Sequence, residues 1–347
     1  MEREEPEGTT PFVTIVIPSH EDEARIAACL VAALGQDYPH DKLEILVADA
    51  MSMDATREVV MKVAADHPEV VIRLLDNEQR TRAAAMNVAL KVARGEIVVP
   101  VDPGAEYAKT HVSKCVEALA ASPAEHVAIV PRATGRTLLE RSLSAVQRTS
   151  LAFAAGSELA GSGRGETVPA LLGAVKRRVF ARVGLYDPGT KVEEDVELSR
   201  RIADAGGAMT VRRDIVVHRA GASGFRDLWK RHFQLGKSRA RGTVKERRVR
   251  SIETLAPFAM VVGGGVLAAT STFQPVTPLA VAGYALMTGA AAVRVGRREG
   301  LVTIPIAWAA FPVMHLAHGV GFGAGLVRAV VKPDWTAPEA IDEPATS

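Results

Sequence analysis

The sequence predicts an open, mostly parallel α/β sheet with membrane helices appended after it. Three observations carry that expectation. Between Phe12 and Val130, short apolar runs alternate with segments whose apolar residues recur at three- and four-residue spacing, the pattern of strands joined by crossover helices. Acidic residues stand just after several of the runs, where open sheets bind their ligands. Three long apolar segments then follow near the end of the chain.

The first residues, Met1 to Thr10, are acidic and polar and lack the basic and apolar regions of a signal peptide; residues 1–11 are expected to be a disordered tail. The strand-like runs are Phe12–Ile17, Glu44–Ala48, Val70–Leu75, Ile97–Val101 and Ala128–Val130. Between them lie the helical patterns Glu23–Ala33, Thr56–Ala65, Arg82–Ala93 and Thr110–Ala121. The residues at the strand ends are Pro18-Ser-His-Glu21, Asp49-Ala-Met-Ser-Met-Asp54 and Asp102-Pro-Gly-Ala-Glu106, so three acidic loops share one rim. A second acidic stretch, Lys191 to Ile202, sets Glu193, Glu194, Asp195 and Glu197 at the mouth of an amphipathic helix beginning near Glu194. A carboxylate there serves either as a base or as a partner of the helix dipole and its free amides.

The chain has 347 residues, 48% hydrophobic, with a formal net charge of +2, enough for a globular core and something further. The balance hides a basic stretch from Lys237 to Arg250. Only Cys29 and Cys115 occur, without ligand-like spacing, which excludes a disulfide framework and a cysteine zinc site and suggests a reducing, cytosolic face. No Gly-x-Gly-x-x-Gly follows the first run and there is no Walker lysine loop. Acids at a rim suit a bare phosphate poorly. They suit a divalent cation held between carboxylate and diphosphate, as magnesium usually is. Asp102 is the ligand expected; Asp-Pro-Gly also forms a turn unaided. His218 follows the run Ile215–Val217 near the same rim and is either a second ligand or a structural histidine.

The segments Phe12 to Glu21, Glu44 to Asp49 with Ser52 and Asp54-Ala-Thr56, Arg80 to Asn87, Gly95 to Asp102, Leu172 to Asp187, Glu194-Asp195-Val-Glu-Leu198 and Ala205-Gly-Gly207 together resemble a family 2 glycosyltransferase over roughly residues 12 to 240. They are most similar to the succinoglycan-type exopolysaccharide glucosyltransferases with apolar C-terminal tails. The resemblance implies a GT-A-like fold that binds a nucleotide sugar, with Mg2+ or Mn2+ as the divalent cation. It implies that Pro18 and Glu21 line the nucleotide base and ribose, that Asp49 bonds a uracil-type base, that Asn87 and Arg82 shape the donor site, and that Asp102 holds the metal and sugar diphosphate, either with His218 or Glu106 as a second ligand or with the metal held mainly by phosphates. Asp195 becomes the general base on the acceptor hydroxyl, with Glu194 positioning the acceptor. Gly104 stands where many members carry a second Asp. The processive Gln-x-x-Arg-Trp pattern is absent although Gln234 and Arg239 remain, which favours addition of a single sugar.

The domain organisation expected is a catalytic domain over 12–222, a basic amphipathic helix and linker over 223–250, about three transmembrane helices over 251–331 and a disordered tail over 332–347. The helix from Ser223 to Arg239 lies either against acceptor and diphosphate or on lipid headgroups. The apolar segments are Leu255–Thr272, Val276–Val293 and Leu301–Val327, the last interrupted by Pro305 and Pro312 and either spanning or partly re-entrant. Basic residues Lys245 to Arg250 and Arg294 to Arg298 flank the first two, so the positive-inside rule gives a multi-pass protein of the cell membrane with its catalytic domain in the cytoplasm. The function expected is inverting transfer of one hexose from a nucleotide sugar, a UDP-sugar by preference, to a lipid-linked saccharide acceptor at the membrane surface, with membrane lipids and no nucleic acid as partners. The rival is a membrane-anchored nucleotide-sugar-binding or scaffolding protein with a degenerate site.

Overall fold

The computed structural model describes residues 10–152, 171–247, 249, 252–270, 276–333 and 339. Most of the expected N-terminal tail, and most of the C-terminal one, lie outside the described residues. The strands are β1 (Val13–Ser19), β2 (Leu43–Asp49), β3 (Val71–Asp76), β4 (Ile97–Pro100), β5 (Ala105–Tyr107), β6 (His126–Ile129), β7 (Arg132–Thr134), β8 (Leu171–Lys176), β9 (Met209–Arg212) and β10 (Val217–Ala220). Seven form one sheet in the order β3-β2-β1-β4-β8-β6-β9, and β5, β10 and β7 form a second, small one. Every pairing in the large sheet is parallel except those of β8 with β4 and β6. The open, mostly parallel sheet expected from the alternation is therefore present.

Helices α1 (Glu23–Leu34), α2 (Thr56–Asp66), α3 (Arg82–Val92) and α4 (His111–Ala120) match the four helical patterns to within a residue or two. They cover both faces. Successive residues of a strand point to opposite sides, so Val13, Ile15, Ile17, Ile45 and Val47 pack with Ile26, Leu30, Val60 and Val112 on one face. Val16, Leu46 and Val98 face the other, against Met86 and Leu90 of α3, Phe180 of α6 (Val179–Val183) and Leu198 and Ile202 of α7 (Glu194–Asp204). Burial on both sides explains why β2 is buried along its whole length. Cys29 and Cys115 are free and buried in this core, as their spacing implied.

Alternation did not reveal β8, which runs against its neighbours, nor the small sheet, whose strands β5 and β7 have three residues each. Pro18 lies inside β1, paired with Ala48, rather than just after it. His218 likewise lies within β10 instead of following its strand.

A third cluster joins α5 (Leu138–Gln147) to α8 (Phe225–Glu246), α10 (Val276–Glu299) and α11 (Ile304–Val331) through Leu143, Val146, Leu228, Ala292, Phe311 and Met314. The third apolar segment is one continuous helix. Pro305 sits in its first turn, where no intrahelical donor is missed, and Pro312 is carried inside it. By length and composition two segments suffice to cross a membrane, Val276–Glu299 and Leu301–Val331. The first apolar segment, expected as a third span, forms α9 (Ile252–Thr270), whose apolar part, Thr254–Thr270, is shorter than the other two.

Candidate active site

Parallel strands bring the rim loops together. Ser19 pairs with Asp49 and Asp49 with Asp76 at the carboxyl ends of β1, β2 and β3. The first two loops are stitched to each other: Glu21 N–H donates to Ser52 Oγ (2.9 Å) and Met53 N–H to Glu21 Oε1 (2.9 Å). Glu21 and Met51 both take left-handed backbone, at φ 51° and 57°, a conformation non-glycine residues adopt only where the surroundings enforce it. Asp49 is fully buried. It accepts from Ser52 N–H (2.9 Å), from the Ser52 hydroxyl, and from Arg57 Nη1 (3.0 Å). A carboxylate has about four lone-pair positions, so one acceptor position is left at this end of the sheet.

The centre of the site is Arg82, the first residue of α3. Its Nε donates to Asp102 Oδ1 (3.0 Å) and its Nη1 to both Glu194 Oε1 (2.7 Å) and Asp195 Oδ1 (3.1 Å). One guanidinium thus ties the loop after β4 to the start of α7, and its side chain is only 22% exposed. A cation at a helix N-terminus works against the macrodipole, whereas Glu194 and Asp195 in the first turn of α7 are favoured by theirs. Arg82 is therefore held by its partners and not by its own helix. Arg219 Nη2 approaches Asp102 Oδ2 from β10 (3.8 Å). The Tyr186 hydroxyl donates to Asp195 Oδ1 (3.4 Å).

Three partly desolvated carboxylates against one close guanidinium leave negative charge in excess. Burial pushes the Glu194 carboxyl above its ordinary range, opposed by Arg82 and reinforced by Asp195. Burial would raise Asp102 too, yet Arg82 and then Arg219 hold it below the usual value. Burial, and next the charge of Asp195, keep the Tyr186 phenol protonated. Neighbouring carboxylates driven to different protonation tendencies are the arrangement that acid–base chemistry uses.

The same excess charge suits a divalent cation. Among the described residues no group of three or more His, Cys, Asp or Glu is placed to hold a metal. Asp102 offers a hard carboxylate at the rim, which fits a cation that takes its remaining oxygens from diphosphate and water. His218 does not join it. Val217 lines the same small cavity as Asp102, and Arg219 reaches Asp102, so His218, between them on β10, faces the other side of the small sheet together with its pair partner Glu106. At Gly104, an added Cβ would meet nothing closer than Arg25 Nη1 at 3.5 Å, so the backbone leaves room for a second acid that the sequence lacks.

Asn87, named with the donor site, instead exchanges two hydrogen bonds with the backbone of Tyr186. Three basic residues of α8, a helix expected either against acceptor and diphosphate or on lipid headgroups, turn to acids of the catalytic domain. Arg239 bonds Glu193, while Arg241 and Lys245 both bond Asp187, and all three face the catalytic domain instead of solvent. Their charges answer buried acids there. The sequence reading passed over Arg82 as a hub. A signal was present: α3 is buried at Ala83, Ala84, Ala85, Met86, Ala89 and Leu90, so an arginine at its start has little solvent to turn to.

Residues 14–157 match the family model described as Glycosyl transferase family 2. The chain is similar to the Succinoglycan biosynthesis protein ExoA of Rhizobium meliloti, 26% identical over 321 residues that cover 91% of this chain and 95% of that one. It is also similar to Glycosyltransferase AglE of Haloferax volcanii, 26% identical over 73% of this chain and 82% of the relative. Among solved structures it is similar to the mannosyltransferase PcManGT from Pyrobaculum calidifontis in complex with GDP-Man and Mn2+, at 25% identity and a TM-score of 0.58, covering 89% of this chain and 88% of that one.

Proposed function

Because residues 14–157 are a family 2 glycosyltransferase domain, and the chain is a glycosyltransferase, we propose that it moves a single hexose from a nucleotide sugar, with inversion, to a lipid-linked glycan acceptor in the synthesis of a cell-envelope or extracellular polysaccharide. The observation that carries this reading is the convergence of Asp102, Glu194 and Asp195 on Arg82. It sets a diphosphate-side acid and an acceptor-side acid within reach of one cation. Similarity to a succinoglycan biosynthesis protein along nearly its whole length supports the polysaccharide assignment.

In the proposed reaction the acceptor oxygen attacks the anomeric carbon as its proton passes to Asp195, and the bond from that carbon to the diphosphate oxygen breaks, releasing nucleoside diphosphate. A base so placed contributes roughly a hundred- to ten-thousand-fold in rate. Glu194, held towards its protonated form, positions the acceptor. An incoming diphosphate competes with the acids for Arg82, since guanidinium and phosphate pair in two-pronged fashion. That competition frees Asp195 when the donor is in place. Pro18 and Glu21 face the nucleoside, and Asp49, buried beneath the Ser52 loop in this structure, is the partner assigned to a base N–H. A divalent cation held by Asp102 would supply stabilisation of charge on the departing diphosphate, and the complex of the similar mannosyltransferase with GDP-Man and Mn2+ supports including one. His218 and Glu106 enter no step.

We place the catalytic domain at 12–222 on the cytoplasmic side of the cell membrane, with α10 and α11 spanning and α9 in contact with lipid. Confinement of enzyme and acceptor to one surface raises encounter and restricts orientation. Membranes containing the protein, supplied with a panel of UDP- and GDP-sugars with and without Mg2+ or Mn2+, are expected to release nucleotide from one donor only and to need the cation. Asp195→Asn is expected to reduce that release at least a hundredfold. Full activity of Asp195→Asn at saturating donor sinks the base assignment.

A further inference from the structure

We infer that Ser238, Arg239, Arg241 and Lys245 of α8 are positioning residues for the transfer, holding the loop of residues 187–193 from which Glu194 and Asp195 project. The inference rests on the proposed role of Asp195. Nothing in the sequence pairs these residues, and the helix was open to lying either against acceptor and diphosphate or on lipid headgroups.

The contacts are specific. Asp187, whose side chain has no solvent exposure, accepts from Arg241 Nη1 (2.8 Å) and Nη2 (3.2 Å) and from Lys245 Nζ. The Ser238 hydroxyl donates to the Val192 carbonyl (2.7 Å), and Arg239 donates through Nε and Nη2 to Glu193 (3.3 Å each). Arg239 and Arg241 are themselves buried to 7% and 12% exposure. Gly189 makes room for the guanidinium: a Cβ there would lie 2.1 Å from Arg241 Nη2. Glu193, the residue before α7, is held in left-handed backbone at φ 63°, a state that persists only where neighbours determine it. Its carboxylate is the one Arg239 grips.

Positions 238, 241 and 245 fall on one stripe of α8, at three- and four-residue spacing. A different stripe meets α11. A Cβ on Gly236 would come within 2.2 Å of the His318 carbonyl, and one on Gly321 within 2.2 Å of the Phe233 carbonyl. Backbone so closely apposed leaves α8 no freedom to shift alone. The helix is therefore a rigid strut, fixed to α11 on one side and gripping the catalytic loop on the other.

The test uses the full chain in membranes, with UDP-glucose and GDP-mannose as donors and UDP and GDP as binding probes. Arg241→Gln and Gly189→Ala, which displaces the guanidinium without changing charge, are expected to lower kcat by about ten- to a hundredfold, as small misplacements of reacting groups do. Nucleotide affinity is expected to stay within about twofold, because Pro18 in β1, Asp49 in β2 and Glu21 after β1 belong to other elements. Arg241→Lys is expected to recover most of the rate, and Ser238→Ala, which deletes one hydrogen bond and keeps the fold, to lose about threefold. Unchanged kcat in Ser238→Ala and Gly189→Ala overturns the inference. So does a loss in Arg241→Gln that tracks folded fraction and nucleotide affinity alike, with no recovery in Arg241→Lys. Asp195→Asn is assayed beside them: its inactivity with a fully active Arg241→Gln refutes the strut alone, whereas its full activity refutes the base assignment and the strut with it.

Discussion

Asn87 Nδ2 donates to the Tyr186 carbonyl and Tyr186 N–H donates to Asn87 Oδ1, each at 2.8 Å. This closed pair joins α3 to the residue whose hydroxyl reaches Asp195. Asn87→Ala leaves both backbone groups of the buried Tyr186 without their partner, which costs about 1–3 kcal/mol for each group left unsatisfied. With two groups affected, denaturant unfolding is expected to show a loss of about 2–6 kcal/mol, and kcat to fall more than nucleotide affinity.

Arg82→Met removes the only guanidinium within hydrogen-bond distance of Asp102, Glu194 and Asp195 among the described residues. Breaking a buried ion pair by deleting one partner typically costs about 3–5 kcal/mol. The variant is expected to unfold at lower temperature by calorimetry and to lose transfer. Arg82→Lys, a point charge without the planar fork, is expected to regain stability in part and little activity.

Burial raises the Glu194 carboxyl, so the folded protein keeps that proton after the unfolded chain has released it. Stability linked to this group is therefore lost as pH rises from the ordinary glutamate value of about 4.5 through the raised one. Glu194→Gln removes the loss. Its melting temperature at neutral pH is expected to equal or exceed that of the wild type, with weaker acceptor use; a lower one contradicts the charge balance described for the site.

His126 is buried in β6 with neither ring nitrogen partnered, and burial, slightly opposed by Glu125, pushes it down to about 4. The unfolded chain takes up a proton near 6.5 and the folded one near 4, so stability is complete above the first value and falls as pH drops towards the second. One such group gives a slope of about 1.4 kcal/mol per pH unit. Denaturant titrations at pH 4.5 to 7 are expected to show His126→Phe with a correspondingly shallower slope than the wild type.

The parts of the fold that alternation made legible are those with a long apolar period. Strands β1 and β2, buried on both faces, read as largely apolar runs interrupted only by Thr14 and Glu44 before their polar ends, and helices α1 to α4 had boundaries set by neighbouring polar loops. Strands β5 and β7, at three residues each, are too short to have a period. His218 was expected at the rim from the run Ile215–Val217, whereas it lies inside β10, where alternation turns it away from the face that Val217 and Arg219 share. Asp102, Glu194 and Asp195 could be named from sequence, but their meeting at Arg82 spans 112 and 113 residues for the last two and depends on tertiary placement. The charges of Arg239, Arg241 and Lys245 were visible; their inward direction was not, because helical spacing gives a stripe without saying which neighbour it meets.

The glycine contacts between α8 and α11 have a consequence for reach. With Gly236 set against His318 and Gly321 against Phe233, no hinge separates the helix that leaves the sheet from one long enough to cross a bilayer. Under the membrane placement and lipid-linked acceptor proposed above, the height of Asp195 above the lipid would be a constant of the fold, like the depth stop on a drill, and acceptors would be selected by how far their reactive hydroxyl stands from the lipid that carries it.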